Sequence, residues 1–137
     1  MPVLAAIDID ERCDAIISEA DSLAEAFDEE LHVMHANSLS DLREVSSSDA
    51  AKKRTIVEQF EDEIVEITSP IADDIVPVCA IGQPATQVVD YADRHDVSYV
   101  VIGGRRRSPV GKALFGSTAQ KILLNAPCPV VVTLSAT

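Results

Sequence analysis

Residues 2–8, PVLAAID, form an apolar run that stops at Asp8, as a strand covered on both faces and closed by a polar end would. From Asp10 the pattern changes. Ile16, Ala20, Leu23, Ala24 and Phe27 recur at spacings of three and four, which places one apolar stripe on a helix whose other face is acidic. ELHVMHA (30–36) returns to a short strand-like run. Residues 37–49 hold serine and aspartate with weak periodicity and predict a mobile connection. Ile56, Val57, Phe60, Ile64 and Ile67 then repeat at helical spacing until Pro70 ends the run.

IVPVCAI (75–81) predicts a third strand, and Pro84 stands well placed to open a helix that buries Val88, Val89, Tyr91 and Ala92. VSYVVIG (97–103) predicts a fourth strand. A loop rich in glycine and arginine follows, then a short helix over Thr118–Leu124, closed by Pro127 and Pro129. PVVVTL (129–134) predicts a fifth strand. Strands written as continuous apolar runs, alternating with amphipathic helices, imply an α/β fold with a sheet buried on both faces. The expected architecture is a single-domain, doubly wound, five-stranded parallel sheet in the order 3-2-1-4-5, Rossmann-like, with helices on both faces. In such sheets a ligand crevice lies beyond the carboxyl ends of the strands where the winding reverses. That directs attention to Asp8 after the first strand, His35 and Ala36 closing the second, and Gly103 after the fourth.

Composition narrows the chemistry. With 137 residues, 47% of them hydrophobic, the chain can build one core without a disulfide or a structural metal. Cys13, Cys79 and Cys128 are scattered and odd in number, and read as reduced small hydrophobes. The pair His32 and His35 lies in a strand-like segment without further ligands at useful spacing, which argues against zinc. A formal charge of −12 argues against an electrostatic grip on nucleic acid or on an anionic membrane. It suits instead a solvated acidic surface in a high-salt interior, where screening removes the self-repulsion. No apolar run approaches the roughly 20 residues needed to span a bilayer, and MPVLAAIDID meets acid too soon for a signal peptide. The expectation is a soluble, cytoplasmic protein.

Against that acidity, VIGGRRRSPVGKALFGST (101–118) gathers glycines, three consecutive arginines and a Gly-Ser-Thr turn. Gly103 and Gly104 would let a phosphate approach the backbone, and Gly116, Ser117 and Thr118 would open a helix with free N–H groups and two hydroxyls, a setting that favours anions. Arg105, Arg106, Arg107 and Lys112 lie between, either aimed at a triphosphate or solvated and paired with the chain's own carboxylates. A dinucleotide fingerprint is excluded because DIDERC (8–13) after the first strand holds no glycine. A P-loop is excluded because Arg106 and Ala113 stand where it needs glycine and a magnesium-binding hydroxyl.

VLAAID, ELHVMHA, IGQPATQVVDYA and above all YVVIGGRRRSPVGKALFGSTAQKILLNAPCPVVVTL resemble the universal stress proteins of the UspA-like, adenine nucleotide alpha-hydrolase-like group over nearly the whole chain. The resemblance implies that Ile7 and Asp8 lie beside ribose and adenine, that Ala36 contributes backbone to adenine recognition, and that Ile102 and Gly103 line the nucleotide. Gly116, Ser117 and Thr118 would meet the phosphates. The ATP-binding branch carries glycine, two residues, glycine, nine residues, then Gly-Ser or Gly-Thr. Gly103, Gly116 and Ser117 match, whereas Arg106 takes the second glycine's place, where its side chain either blocks nucleotide or grips it. The first turn also departs, with Asp8-Ile9-Asp10 lacking the usual glycine, and Cys13 standing near a usual serine cap.

The function so implied is a stress-response module that holds ATP or another adenine nucleotide, with or without magnesium, and acts by its occupancy; Asp8 can accept from ribose hydroxyls or hold a phosphate-bound magnesium. A homodimer through the fifth strand would cover an apolar edge. The alternative is a stress protein that binds no nucleotide and works through protein contacts. Catalysis is not expected beyond slow incidental hydrolysis, because no base stands out.

Overall fold

The computed structural model describes residues 1–37, 50–107, 112–114 and 116–136. Strands and helices alternate in chain order: β1 (Val3–Ile7), α1 (Asp14–Phe27), β2 (Leu31–Asn37), α2 (Ala50–Thr68), β3 (Ile75–Ile81), α3 (Pro84–Arg94), β4 (Tyr99–Arg107), β5 (Lys112–Leu114), α4 (Ser117–Asn125) and β6 (Val130–Ala136). The predicted connection over 38–49 lies outside the described residues. Five strands are parallel and lie in the order β3-β2-β1-β4-β6, the arrangement expected of the five apolar runs. Val3 of β1 stands level with Leu31 of β2 and Tyr99 of β4, so the first strand is the centre of the sheet.

Alternation of side chains divides the core by face. Val3, Ala5, Val33 and Val101 pack with Ile17 and Ala24 of α1 and Ile64 of α2. Leu4, Met34, Val100 and Ile102 pack on the other face with Val88 and Ala92 of α3 and Ile122 of α4. The all-apolar runs are thereby explained, since both residue parities of β1 meet a helix layer. Three turns from a helix back to a strand place a residue in the left-handed region: Asp28 after α1, Asp74 after α2 and Asp96 after α3, with φ of 54°, 54° and 50°. Aspartate tolerates that region better than most side chains, so the chain makes these turns without glycine.

Two local differences from the sequence reading bear on function. α1 starts at Asp14, later than the change of pattern at Asp10, because residues 8–11 close a turn in which Glu11 N–H donates to the Asp8 carbonyl (3.0 Å). Cys13 is the residue before the helix and makes no side-chain cap. Second, Gly104–Arg107, expected as loop, continue β4. On one edge Val100–Arg106 pair in parallel with Val130–Ala136 of β6; on the other, Arg105–Arg107 pair antiparallel with Leu114–Lys112 of β5. Inter-strand pairing, with β5 a few residues on and with β6 farther along the chain, outweighs the polar, loop-like composition. No helix among the described residues is long and apolar enough to cross a membrane.

Candidate functional site

Because β4 has only two edges and β6 occupies one, β1 and β5 share the other. β1 pairs with Tyr99–Val101 and β5 begins at Arg105, which leaves Ile102–Gly104 without a strand partner on that edge. A cleft of about 670 Å³ opens there, at the carboxyl ends of β1 and β2 and beside the unpaired stretch of β4. Ile7 and Asp8 form one rim and Met34, His35 and Ala36 another. Ile102–Gly104 form the floor, with Thr133 of β6 beside them, and Gly116–Ala119 at the start of α4 close the far side. Pro84 and Val88 of α3 and Ile16 of α1 add apolar wall.

The start of α4 is chemically open. Gly116 precedes the helix with extended backbone (φ −67°, ψ 170°) and there is no side-chain cap. The first helical bond runs from Gln120 N–H to the Gly116 carbonyl (3.1 Å), so the amides of Ser117, Thr118 and Ala119 have no acceptor within the helix. Ser117 and Thr118 are exposed, with their hydroxyls on the same rim. Donors and helix dipole together favour an anion at this position.

Asp8 is exposed across the cleft. Its Oδ1 accepts from Asp10 N–H (2.9 Å), which braces the glycine-free turn. Ile9 N–H, two residues past the end of β1, points at His35 Nδ1 (3.4 Å). An amide can only donate, so Nδ1 carries the lone pair and the ring proton sits on Nε2, which donates to Asn37 Oδ1 (2.8 Å). Asn37 Nδ2 donates onward to Cys79 Sγ (3.5 Å), and the His35 ring stacks on Phe60 of α2 with centroids 5.6 Å apart. His35, only 7% exposed, therefore ties β2, β3 and α2 to the turn that carries Asp8. Burial, then the nearby Glu61 carboxylate, pushes the Cys79 thiol up, against the lowering effect of the Asn37 contact. Burial likewise raises Cys13, aided by Asp14 and Asp8, so neither thiol is set up as a nucleophile.

Gly103 has a different neighbour from the one its sequence position suggested. A Cβ built there would lie 2.9 Å from Ile16 Cδ1, so the bare Cα is what lets α1 rest on β4. Gly116, by contrast, would place a Cβ in open space. Of the residues proposed from sequence, Ile7, Asp8, Ala36, Ile102, Gly103, Gly116, Ser117 and Thr118 all line the one cleft. Arg106 lies in β4 opposite Ala113 and Ala136, and its side chain is outside the described residues. Sequence reasoning missed Ile16, Glu11 and Arg12, which reach the cleft from α1 and the preceding turn. Their only signal was nearness to Asp8 in the chain.

His32 belongs to the opposite end of the sheet. Its Nδ1 meets Tyr91 Oη (2.6 Å), and its Nε2 meets Glu30 Oε2 (2.9 Å). Burial, then Glu30, raises the Tyr91 hydroxyl. Among the described residues no three His, Cys, Asp or Glu side chains come together as a metal site.

A doubly wound parallel sheet with an open helix N-terminus and an acid facing each other across the reversal point defines an α/β protein whose ligand-type crevice lies at the topological switch point. The model of the universal stress protein family matches residues 1–133, and the chain belongs to that family. It is 38% identical over 73 residues to a universal stress protein of Mycolicibacterium smegmatis, a match that spans 50% of this chain and about half, 56%, of that relative. Its structure is similar to that of a universal stress protein from Archaeoglobus fulgidus (25% identity, TM-score 0.72, covering 96% of this chain and 97% of that one). It also resembles the Archaeoglobus fulgidus protein in complex with dAMP (20% identity, TM-score 0.67, 96% of each chain), a likeness of fold.

Proposed function

We propose that this chain binds an adenine nucleotide in the cleft and acts through its occupied and empty states rather than by turnover. One observation carries the reading: four separate segments converge on a single crevice that offers an acid on one rim and unpaired helix amides on the other. Asp8 Oδ2 accepts from ribose hydroxyls, Ile7, Ala36 and Ile102 flank the base, and the amides of Ser117 and Thr118 with their hydroxyls take phosphate. The relative bound to dAMP supports the same ligand class. ATP and AMP both belong to that class, with magnesium accompanying the polyphosphate where it binds.

A homodimer through β6 fits the same reading. β6 pairs with β4 alone among the described strands, and Leu134 near its end is 37% exposed, so a second copy would cover an apolar edge. Thermal unfolding with and without millimolar adenine nucleotide tests the binding. Occupancy at a hundredfold excess over Kd stabilises by about 2.7 kcal/mol, a shift of several degrees. Absence of any shift with AMP, ADP or ATP would leave the alternative, a stress protein that works by protein contacts alone.

A further inference from the structure

We infer, resting on the nucleotide reading above, that the site selects an adenine nucleotide carrying one phosphate and that β5 is the element that rejects the triphosphate. A polyphosphate tail needs a track of free donors or cations leading away from the sugar. Here the track is short. On the cleft-facing edge of β4 only Ile102–Gly104 lack a strand partner. From Arg105 onward β5 takes that edge, while β6 holds the opposite edge as far as Arg106. In a strand with neighbours on both sides the successive N–H groups are used by the ladders, so those of residues 105 and 106 are not available to a ligand. The open window between the last β1 pair, at Val101, and the first β5 pair, at Arg105, is four residue steps, roughly 13 Å of strand.

The described donors at the start of α4 suit one phosphate. Three amides at Ser117, Thr118 and Ala119 and two hydroxyls face the cleft, a set that one phosphate's oxygens can satisfy. Ladder and donor count therefore limit the same end of the ligand.

The test is calorimetric titration of the full chain with adenosine, AMP and ATP, the last with and without magnesium, at one fixed ionic strength. AMP is expected to bind at least tenfold more tightly than either adenosine or ATP, with magnesium failing to close the gap. ATP equal to or tighter than AMP overturns the inference while leaving the nucleotide reading intact, and adenosine equal to AMP overturns the phosphate seat. Failure of all three ligands overturns the nucleotide reading itself. A second arm uses Ala113→Pro, which places a residue disfavoured in strands at the middle of β5, opposite Arg106, and so weakens that strand. The AMP-to-ATP affinity ratio should fall at least threefold in that variant; an unchanged ratio with AMP binding retained shows that β5 is not the barrier.

Discussion

Gly103→Ala isolates what the glycine is for. The new Cβ would sit 2.9 Å from Ile16 Cδ1 and 3.4 Å from its Cγ1, against an ordinary carbon contact of roughly 3.5–4.0 Å. Ile16 must therefore retreat by about 0.7 Å, and the clashing atom is the end of a half-buried, rotatable side chain. Moving it off its rotamer costs about 0.5–1.5 kcal/mol, while replacing glycine inside a strand returns about 0.5–1 kcal/mol of backbone entropy. The net change in unfolding free energy is expected within about 1 kcal/mol of the parent, or a shift of no more than about 4 °C in Tm. Binding should respond more. Ile16 lines the cleft, and a methyl displaced into it would cost a ligand about 1.4 kcal/mol, or tenfold in Kd. Gly116→Ala is the control, because its Cβ meets nothing within 4 Å and stability should again change by less than about 1 kcal/mol. Urea unfolding and nucleotide titration of both variants check the reasoning. A loss beyond about 3 kcal/mol in Gly103→Ala would mean that α1 cannot yield, and an unaltered Kd would mean that Ile16 did not move toward the ligand.

Other consequences are as concrete. His35→Ala removes the acceptor of the half-buried Ile9 N–H and the ring that stacks on Phe60, and should cost about 1–3 kcal/mol in urea unfolding; His35→Asn, whose side-chain oxygen falls near the Nδ1 position, should recover part of that and slow exchange of the Ile9 amide. Ile17→Ala, at a fully buried position of α1 between the helix and β1, should lose about 2–5 kcal/mol. The thiols give a pH dependence. Cys13, Cys79 and Cys128 are all raised, chiefly by burial, so both states carry protonated thiols below about pH 8.5 and the shift contributes nothing there. Above that the unfolded chain releases protons that the folded chain keeps, and stability should fall as pH rises. Denaturation at pH 7, 8.5 and 10 should show the decline, and Cys13→Ser should flatten it.

Much of this architecture was legible in the chain because burial on both faces writes itself as unbroken apolar runs. PVLAAID, IVPVCAI and PVVVTL correspond closely to β1, β3 and β6, and the three-and-four spacing from Ile16 to Phe27 lies within α1. The cleft was legible for a related reason. Hydrophobicity stops at Asp8 just past β1, at Ala36 near the end of β2 and at Gly103 within β4, and all three line the one crevice. Cys13 does precede α1, as its place near a usual cap suggested, while Asp10, where the pattern changes, serves the turn by donating its N–H to Asp8.

What the sequence could not convey is which distant segment lies beside a given residue. Gly103 next to three arginines suggests a phosphate loop by local pattern, yet its Cα meets Ile16, 87 positions earlier in the chain. The arginines themselves read as loop because their composition is polar, while Lys112–Leu114 a few residues on and the distant end of β6 supply partners on both edges. Pairing of that kind is a tertiary decision that overrides local preference. Its consequence runs directly to the site: where a turn after Gly103 would have left amides free for a longer anion, a strand bordered on two sides uses them. The same substitution of ladder for loop accounts for a position that would take glycine in an open phosphate turn taking Arg106 instead, since a paired strand asks for no left-handed backbone.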